Sequence, residues 1–175
     1  MKKIILTVFA ASSLLLYSTP SFAISLSVGV PIGASIKNDA GSEVADGASG
    51  YFLGVQLPFG LGLGMDSHKT KFKDDSTLKV ATSMYNLYYQ LPVPVVSLIL
   101  GLGTGNSNFD CPGCAEVFDK GAATQWYTSI GFPIIPFFDI HLSYRSITSK
   151  NIKDPDGDKY DVSGTITGIG LAFNF

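Results

Sequence analysis

The stretch Ser163-Gly164-Thr165-Ile166-Thr167-Gly168-Ile169-Gly170-Leu171-Ala172-Phe173-Asn174-Phe175 decides the fold. Thr165, Thr167, Ile169, Leu171, Phe173 and Phe175 share one parity; Gly164, Gly168, Gly170, Ala172 and Asn174 share the other. Successive side chains of a strand point to opposite faces, so this segment has one greasy face and one small or polar face. Near the start of the chain, Leu26, Val28, Val30, Ile32, Ala34 and Ile36 stand against Ser25, Ser27, Gly29, Gly33 and Ser35 in the same way. The split recurs and predicts eight strands, at 25–36, 50–57, 61–70, 78–91, 95–105, 124–132, 137–148 and 160–175.

The connections alternate in kind. Three are tight and carry proline: Pro58-Phe59-Gly60, Pro92-Val93-Pro94 and Pro133 to Pro136. A missing N–H costs no ladder bond there. The others, 37–49, 71–77, 106–123 and 149–159, are longer and polar. Short turns at one end and long loops at the other are the layout of a membrane barrel, with the short side and both chain ends in the periplasm. Pro31, inside the first strand, predicts a bulge or a locally unpaired edge.

Residues 1–23 read as a cleaved secretory signal peptide. Lys2 and Lys3 give a basic start, Ile4 to Leu16 a short apolar core, and Ser21-Phe22-Ala23 a small-x-small cleavage site. Residues 24–175 then form one domain. The longest later apolar run, Val93 to Leu102, contains Pro94 and is too short for a helical span, whereas a tilted strand needs only about 9–11 residues. Without Lys2 and Lys3 the chain is acidic, and it carries no basic patch or recognisable nucleic-acid motif, so nucleic acid is not an expected partner.

Parity assigns faces. The outward set includes Tyr51, Leu53, Val55, Leu63, Met65, Tyr85, Leu87, Tyr89, Leu100, Leu102, Trp126, Ile130, Leu142 and Tyr144. The inward set collects Gln56, Asp66, His68, Asn86, Gln90, Gln125, Asp139, His141 and Arg145, together with most glycines, Gly33 among them. An eight-stranded barrel is only wide enough inside for side chains, so small residues there relieve crowding. Phe52, Ile99, Phe137, Val162 and Ile166 are apolar residues of inward parity. Aromatic residues near the strand ends fit the girdles of a membrane barrel. The fold is therefore expected to be all-β, an eight-stranded antiparallel up-and-down transmembrane β-barrel, since only closure satisfies every backbone group in lipid.

On the signal peptide, the eight alternating segments and the terminal Gly170 to Phe175, the chain resembles the small eight-stranded outer-membrane proteins of Gram-negative bacteria, of the OmpA-barrel and OmpX type. The resemblance implies integral outer-membrane location among lipid and lipopolysaccharide. It also implies that Phe173 and Phe175 form the signal read by the outer-membrane assembly machinery.

Three constellations could carry chemistry. His141-Leu142-Ser143 is similar to the histidine and serine of outer-membrane lipid A deacylases, in which His activates Ser. Its parity faces the lumen rather than the lipid, however, and Tyr144 stands where that motif has asparagine. The alternative is a charged lumen network of Asp66, His68, Asp139, His141 and Arg145, because buried charges must pair. Cys111-Pro112-Gly113-Cys114, in the longest loop, reads as a structural disulfide in an oxidising compartment. Asp154, Asp156 and Asp158 around Gly157 resemble a calcium loop, but Thr165 occupies the twelfth position, where an EF-hand has glutamate; the alternative is a solvated acidic turn.

No cofactor is expected. The favoured function is a non-enzymatic, monomeric outer-membrane barrel, with an envelope-structural or surface role through its loops. Loop 106–123 is the leading contact for an extracellular partner, although Phe109, Val117 and Phe118 could instead fold back onto the rim. The alternatives are a lipid A-modifying enzyme using His141 and Ser143, or a narrow pore for small solutes.

Overall fold

The structure is a computed structural model and describes residues 24–38, 41–73, 77–93, 95–112, 114, 118–153 and 156–175. The expected signal peptide, Val117 and Asp154 lie outside these residues. Nine strands form: β1 (Ser25–Asn38), β2 (Gly41–Val44), β3 (Ala48–Gln56), β4 (Leu61–Lys71), β5 (Lys79–Leu91), β6 (Ser97–Asp110), β7 (Gly121–Ile135), β8 (Phe138–Lys153) and β9 (Lys159–Asn174). Each pairs antiparallel with its neighbour, and β1 pairs with β9 from Ser25↔Asn174 to Lys37↔Ser163. That last ladder closes the sheet. β2 is a short flap on the upper half of β1, so the barrel wall has eight strands.

The alternation read from the sequence sets the two surfaces. Leu53, Leu63, Tyr85, Leu87, Leu102, Trp126 and Leu142 are exposed on the outside, while Asp66, His68, Asn86, Gln125 and Arg145 are buried inside. Exposed side chains of this kind over the whole circumference belong to a wall solvated by lipid. Phe52, Ile99 and Ile166 are buried in the lumen, as their parity requires.

Three expectations are corrected. The strands run further toward the long loops than expected, reaching Lys71, Asp110, Gly121 and Lys153, and β2 forms within the first loop. Parity in β1 also flips. Pro31 faces Gly168 but Gly33 faces Thr167, leaving Ile32 as the extra residue of a bulge. Beyond it Ile36 is buried and Ala34 packs on Phe52, Ile147 and Ile166. Gly33 and Ser35 now share the outward side with Thr167 and Thr165, and Ser35 Oγ lies 2.7 Å from Thr165 Oγ1. A bulge adds one residue to one strand, and with a side-chain period of two everything beyond it changes face. Finally, Phe137 lies in the last tight turn and points out of the barrel.

Each tight turn holds one bulky residue in the left-handed region: Phe59 (φ 79°), Val95 (φ 78°) and Phe137 (φ 81°). Such a conformation is costly for a residue with a Cβ. All three side chains are exposed, with Val95 at 85%. Residues 57–60, 92–96 and 133–137 include no charged residue, so the turn end extends the apolar belt.

Candidate functional site

The lumen is where the polar candidates gather. At mid-height Asp66 on β4 stands opposite Phe52 on β3, and Arg145 on β8 opposite Tyr127 on β7. Asp66 Oδ2 accepts hydrogen bonds from Arg145 Nε at 3.1 Å and from Gln125 Nε2 at 2.7 Å. Gln125 Nε2 also donates to Asn86 Oδ1. Gly103, opposite both Gln125 and Asn86, makes room for that bond; a Cβ there would strike Asn86 Oδ1. The Arg145 guanidinium lies 3.8 Å from the Phe52 ring centroid and 4.6 Å from that of Tyr127. The charge is thus paired, hydrogen-bonded and held against aromatic rings, which makes its burial tolerable.

His68 meets Phe52 edge-on with ring centroids 6.3 Å apart and does not join the Asp66 bonds. Asp139 and His141 belong to a second, lower group. Asp139 Oδ2 accepts from Ser97 Oγ at 3.0 Å, and Ser97 Oγ accepts from Gln90 Nε2 at 3.3 Å. His141 Nε2 is 3.9 Å from Asp139 Oδ2, and His141 Nδ1 is 3.3 Å from Ser129 Oγ. Of the five residues expected to form one network, Asp66 and Arg145 sit in one group and Asp139 and His141 in a lower one, while His68 packs on Phe52.

Ser143 Oγ donates to the Gly168 carbonyl at 3.4 Å, while the hydroxyl beside the His141 ring is that of Ser129. The His141–Ser143 pair is thus on the lumen side and is not joined by a hydrogen bond.

One feature escaped the sequence, and a second, Phe109 and Phe118 folding back onto the rim, was there only as the alternative reading of the loop. Tyr88 is buried with Ile99 below the Asp66 group and packs against Tyr127, their rings edge-on at 6.4 Å. They share parity with Asn86 and Gln125, and each faces a glycine: a Cβ on Gly62 would fall on the Tyr88 ring, and one on Gly101 on the Tyr127 ring. The legible signal was an inward ring opposite a glycine. At the loop end Phe109, Phe118 and Tyr160 form a three-ring cluster with centroids 5.1, 6.0 and 6.4 Å apart. Phe109 and Tyr160 carry inward parity, so the cluster lies over the mouth.

Cys111 and Cys114 are bridged, with Cα atoms 5.1 Å apart, and the Cys114 carbonyl accepts from the Phe118 N–H at 2.8 Å. The bridge thus helps hold the turn that places Phe118. Asp156 and Asp158 are exposed, and no cluster of three or more metal-ligating acid, His or Cys side chains occurs among the described residues.

The cavities that border the described lumen residues are small. A cavity of about 60 Å³ borders Tyr88, Ser129, His141, Ser143 and Arg145, and another of about 30 Å³ borders His68, Thr82, Ser107 and Ile166. Arg145 Nη1 and His141 Nε2, which have no hydrogen-bond partner among the described residues, belong to side chains bordering the larger one, whose wall is otherwise mainly apolar and aromatic.

No protein-family model matches the chain, and comparison with curated protein sequences finds no match. Solved structures do match. Neisserial surface protein A aligns over 89% of this chain and 98% of its own, with a TM-score of 0.67 and 13% identity. The Escherichia coli outer membrane protein W aligns over 87% and 98%, with a TM-score of 0.51 and 11% identity. At these identities the likeness concerns fold, and the fold is that of the small eight-stranded transmembrane β-barrels of the bacterial outer membrane.

Proposed function

We propose that this protein is a non-conducting outer-membrane barrel whose work is done on its surface, in envelope structure or contact through its loops. The observation that carries this reading is the filled lumen. Asp66, Gln125 and Arg145 are locked together at mid-height against Phe52 and Tyr127, and the cavities of about 60 and 30 Å³ that border the described lumen residues are each small. Opening a path would require breaking a buried ion pair, at a cost of about 3–5 kcal/mol. The short turns and both termini then face the periplasm, and the long loops face outward. Loop 106–123 contributes the exposed Pro112, Asp119 and Lys120, because Phe109 and Phe118 are turned in on Tyr160.

Planar-bilayer recording tests the proposal. A trace without stable ohmic steps is expected, and a reproducible single-channel conductance would overturn it. The separate hydrolase alternative receives no support from the His141 and Ser143 geometry.

A further inference from the structure

All nine lysines of residues 24–175 lie in the long loops or in the strand halves that lead to them. Seven are on strands, whereas many of the acids of that end, among them Asp46, Asp119, Asp156 and Asp158, are in the loops. The outer end is therefore tiered, with a basic collar near the membrane and acidic tips beyond.

The collar is sharpest where β4 meets β5. Going outward along the lipid-facing side, the directly opposed pairs are Met65↔Tyr85, Ser67↔Ser83, Lys69↔Ala81 and Lys71↔Lys79. Two lysines facing each other across a ladder repel. The nearest acid in register is Asp110 on β6, opposite Lys79, but Lys69 Nζ already holds its Oδ2 at 2.7 Å. That hydrogen bond keeps the Asp110 carboxyl below its ordinary pKa. Among the described residues the lipid-facing side of this corner carries more positive than negative charge, Asp74 and Asp75 of the connecting loop lying outside them, and over 69–79 with Asp110 the sequence holds four lysines against three acids. Asp46 approaches Lys71 only through the backbone, its N–H donating to the Lys71 carbonyl at 3.1 Å. A second opposed pair, Lys153↔Lys159, stands between β8 and β9, where Asp156, Asp158 and Asp161 are close in sequence.

Height selects the anion. At about 3.3 Å per residue and a tilt near 40°, six residues beyond Met65 and Tyr85 place the Lys71–Lys79 pair about 15 Å above the last apolar pair. A phospholipid headgroup layer is only about 5–7 Å thick on each side. The rows between carry small or hydroxyl side chains, Ser67, Ser83 and Ala81, beside Lys69. We infer that Lys71 and Lys79 clamp a phosphate borne on the saccharide headgroup of an outer-leaflet glycolipid, with the serine row facing the sugars. This rests on the outer-membrane location of the proposed function but not on its closed lumen.

The test uses the full barrel in phosphatidylcholine vesicles doped with lipopolysaccharide carrying its core phosphates, with the same lipopolysaccharide after dephosphorylation, or with phosphatidylglycerol. Probe lipid retained after mild detergent extraction is the readout. Retention of the phosphorylated glycolipid should exceed both others, and the Lys71→Gln/Lys79→Gln double variant should lose it by about tenfold in apparent affinity. Lys150→Gln, whose register partner is Ala122, should retain it. The double variant relieves a repulsion, so it should fold and show heat-modifiable migration like the parent. Equal retention of phosphatidylglycerol, displacement by inorganic phosphate at low concentration, or full retention by the double variant would each overturn the inference. A heat-modifiable, non-conducting barrel that fails this test loses the clamp and keeps the proposed function.

Discussion

Arg145 shows how much one side chain does inside a narrow barrel. It pairs with Asp66 on a strand far from its own in sequence, and its flat guanidinium is packed against Phe52 and Tyr127. Replacing Asp66 with Asn leaves that charge without a counter-ion, at an expected cost of about 3–5 kcal/mol. The check is the temperature at which the folded, fast-migrating form converts to the unfolded one; Asp66→Leu combined with Arg145→Met should recover most of the loss. Glycine matters as much by what it leaves out. Gly101→Ala puts a methyl into the Tyr127 ring and should cost about 1–3 kcal/mol by overpacking, whereas Gly101→Ala with Tyr127→Leu should lose less than the sum of the two single changes. The inward polar residues were legible because parity alone buries them. The rings over glycines were not, because parity says which way a tyrosine points but not what stands opposite it; that needs the register between strands.

At the scale of elements, the strands and their order could be read from alternation and from proline-bearing turns, and β4, β5 and β9 fall within one or two residues of expectation. Four elements resisted, for two physical reasons. In β1 the bulge at Ile32 shifts phase, so a segment that looks like one continuous greasy stripe is two half-strands with opposite facing. Pro31 marked the place, but no rule of alternation says whether a proline is absorbed at an unpaired position or by an added residue. The far ends of β6, β7 and β8 were hidden because, above the lipid, the outward positions become polar and the contrast that defines a strand disappears. The aromatic cluster over the mouth depends on this extension, since Phe109 and Tyr160 reach each other only because β6 and β9 continue that far. Cys111→Ser with Cys114→Ser should leave the heat-modifiable barrel intact and speed proteolytic cleavage within loop 111–120. Unchanged cleavage would mean that the ring cluster alone holds the loop.

For the whole molecule, the outside is a membrane surface and the inside is packed with side chains around small cavities. Closure was legible as a requirement, because an apolar exterior in lipid leaves no other way to satisfy the edge of a sheet. Function was much less legible, since the proposals made for it rest on a buried pair, a packed mouth and a tiered charge pattern, each assembled from residues distant in sequence. The closing ladder between β1 and β9 has a further consequence, in time rather than in space. It joins the first of the described strands with the last, so loop-closure entropy for that contact is near the maximum that the described residues can present. Until Phe173 has been added and has found Leu26, every earlier strand belongs to an open sheet with two bare edges and a greasy face, the arrangement most prone to pairing with the wrong chain. The molecule is safe only as a finished ring, and from translation to closure its survival depends on how long its two ends can be kept apart from other chains.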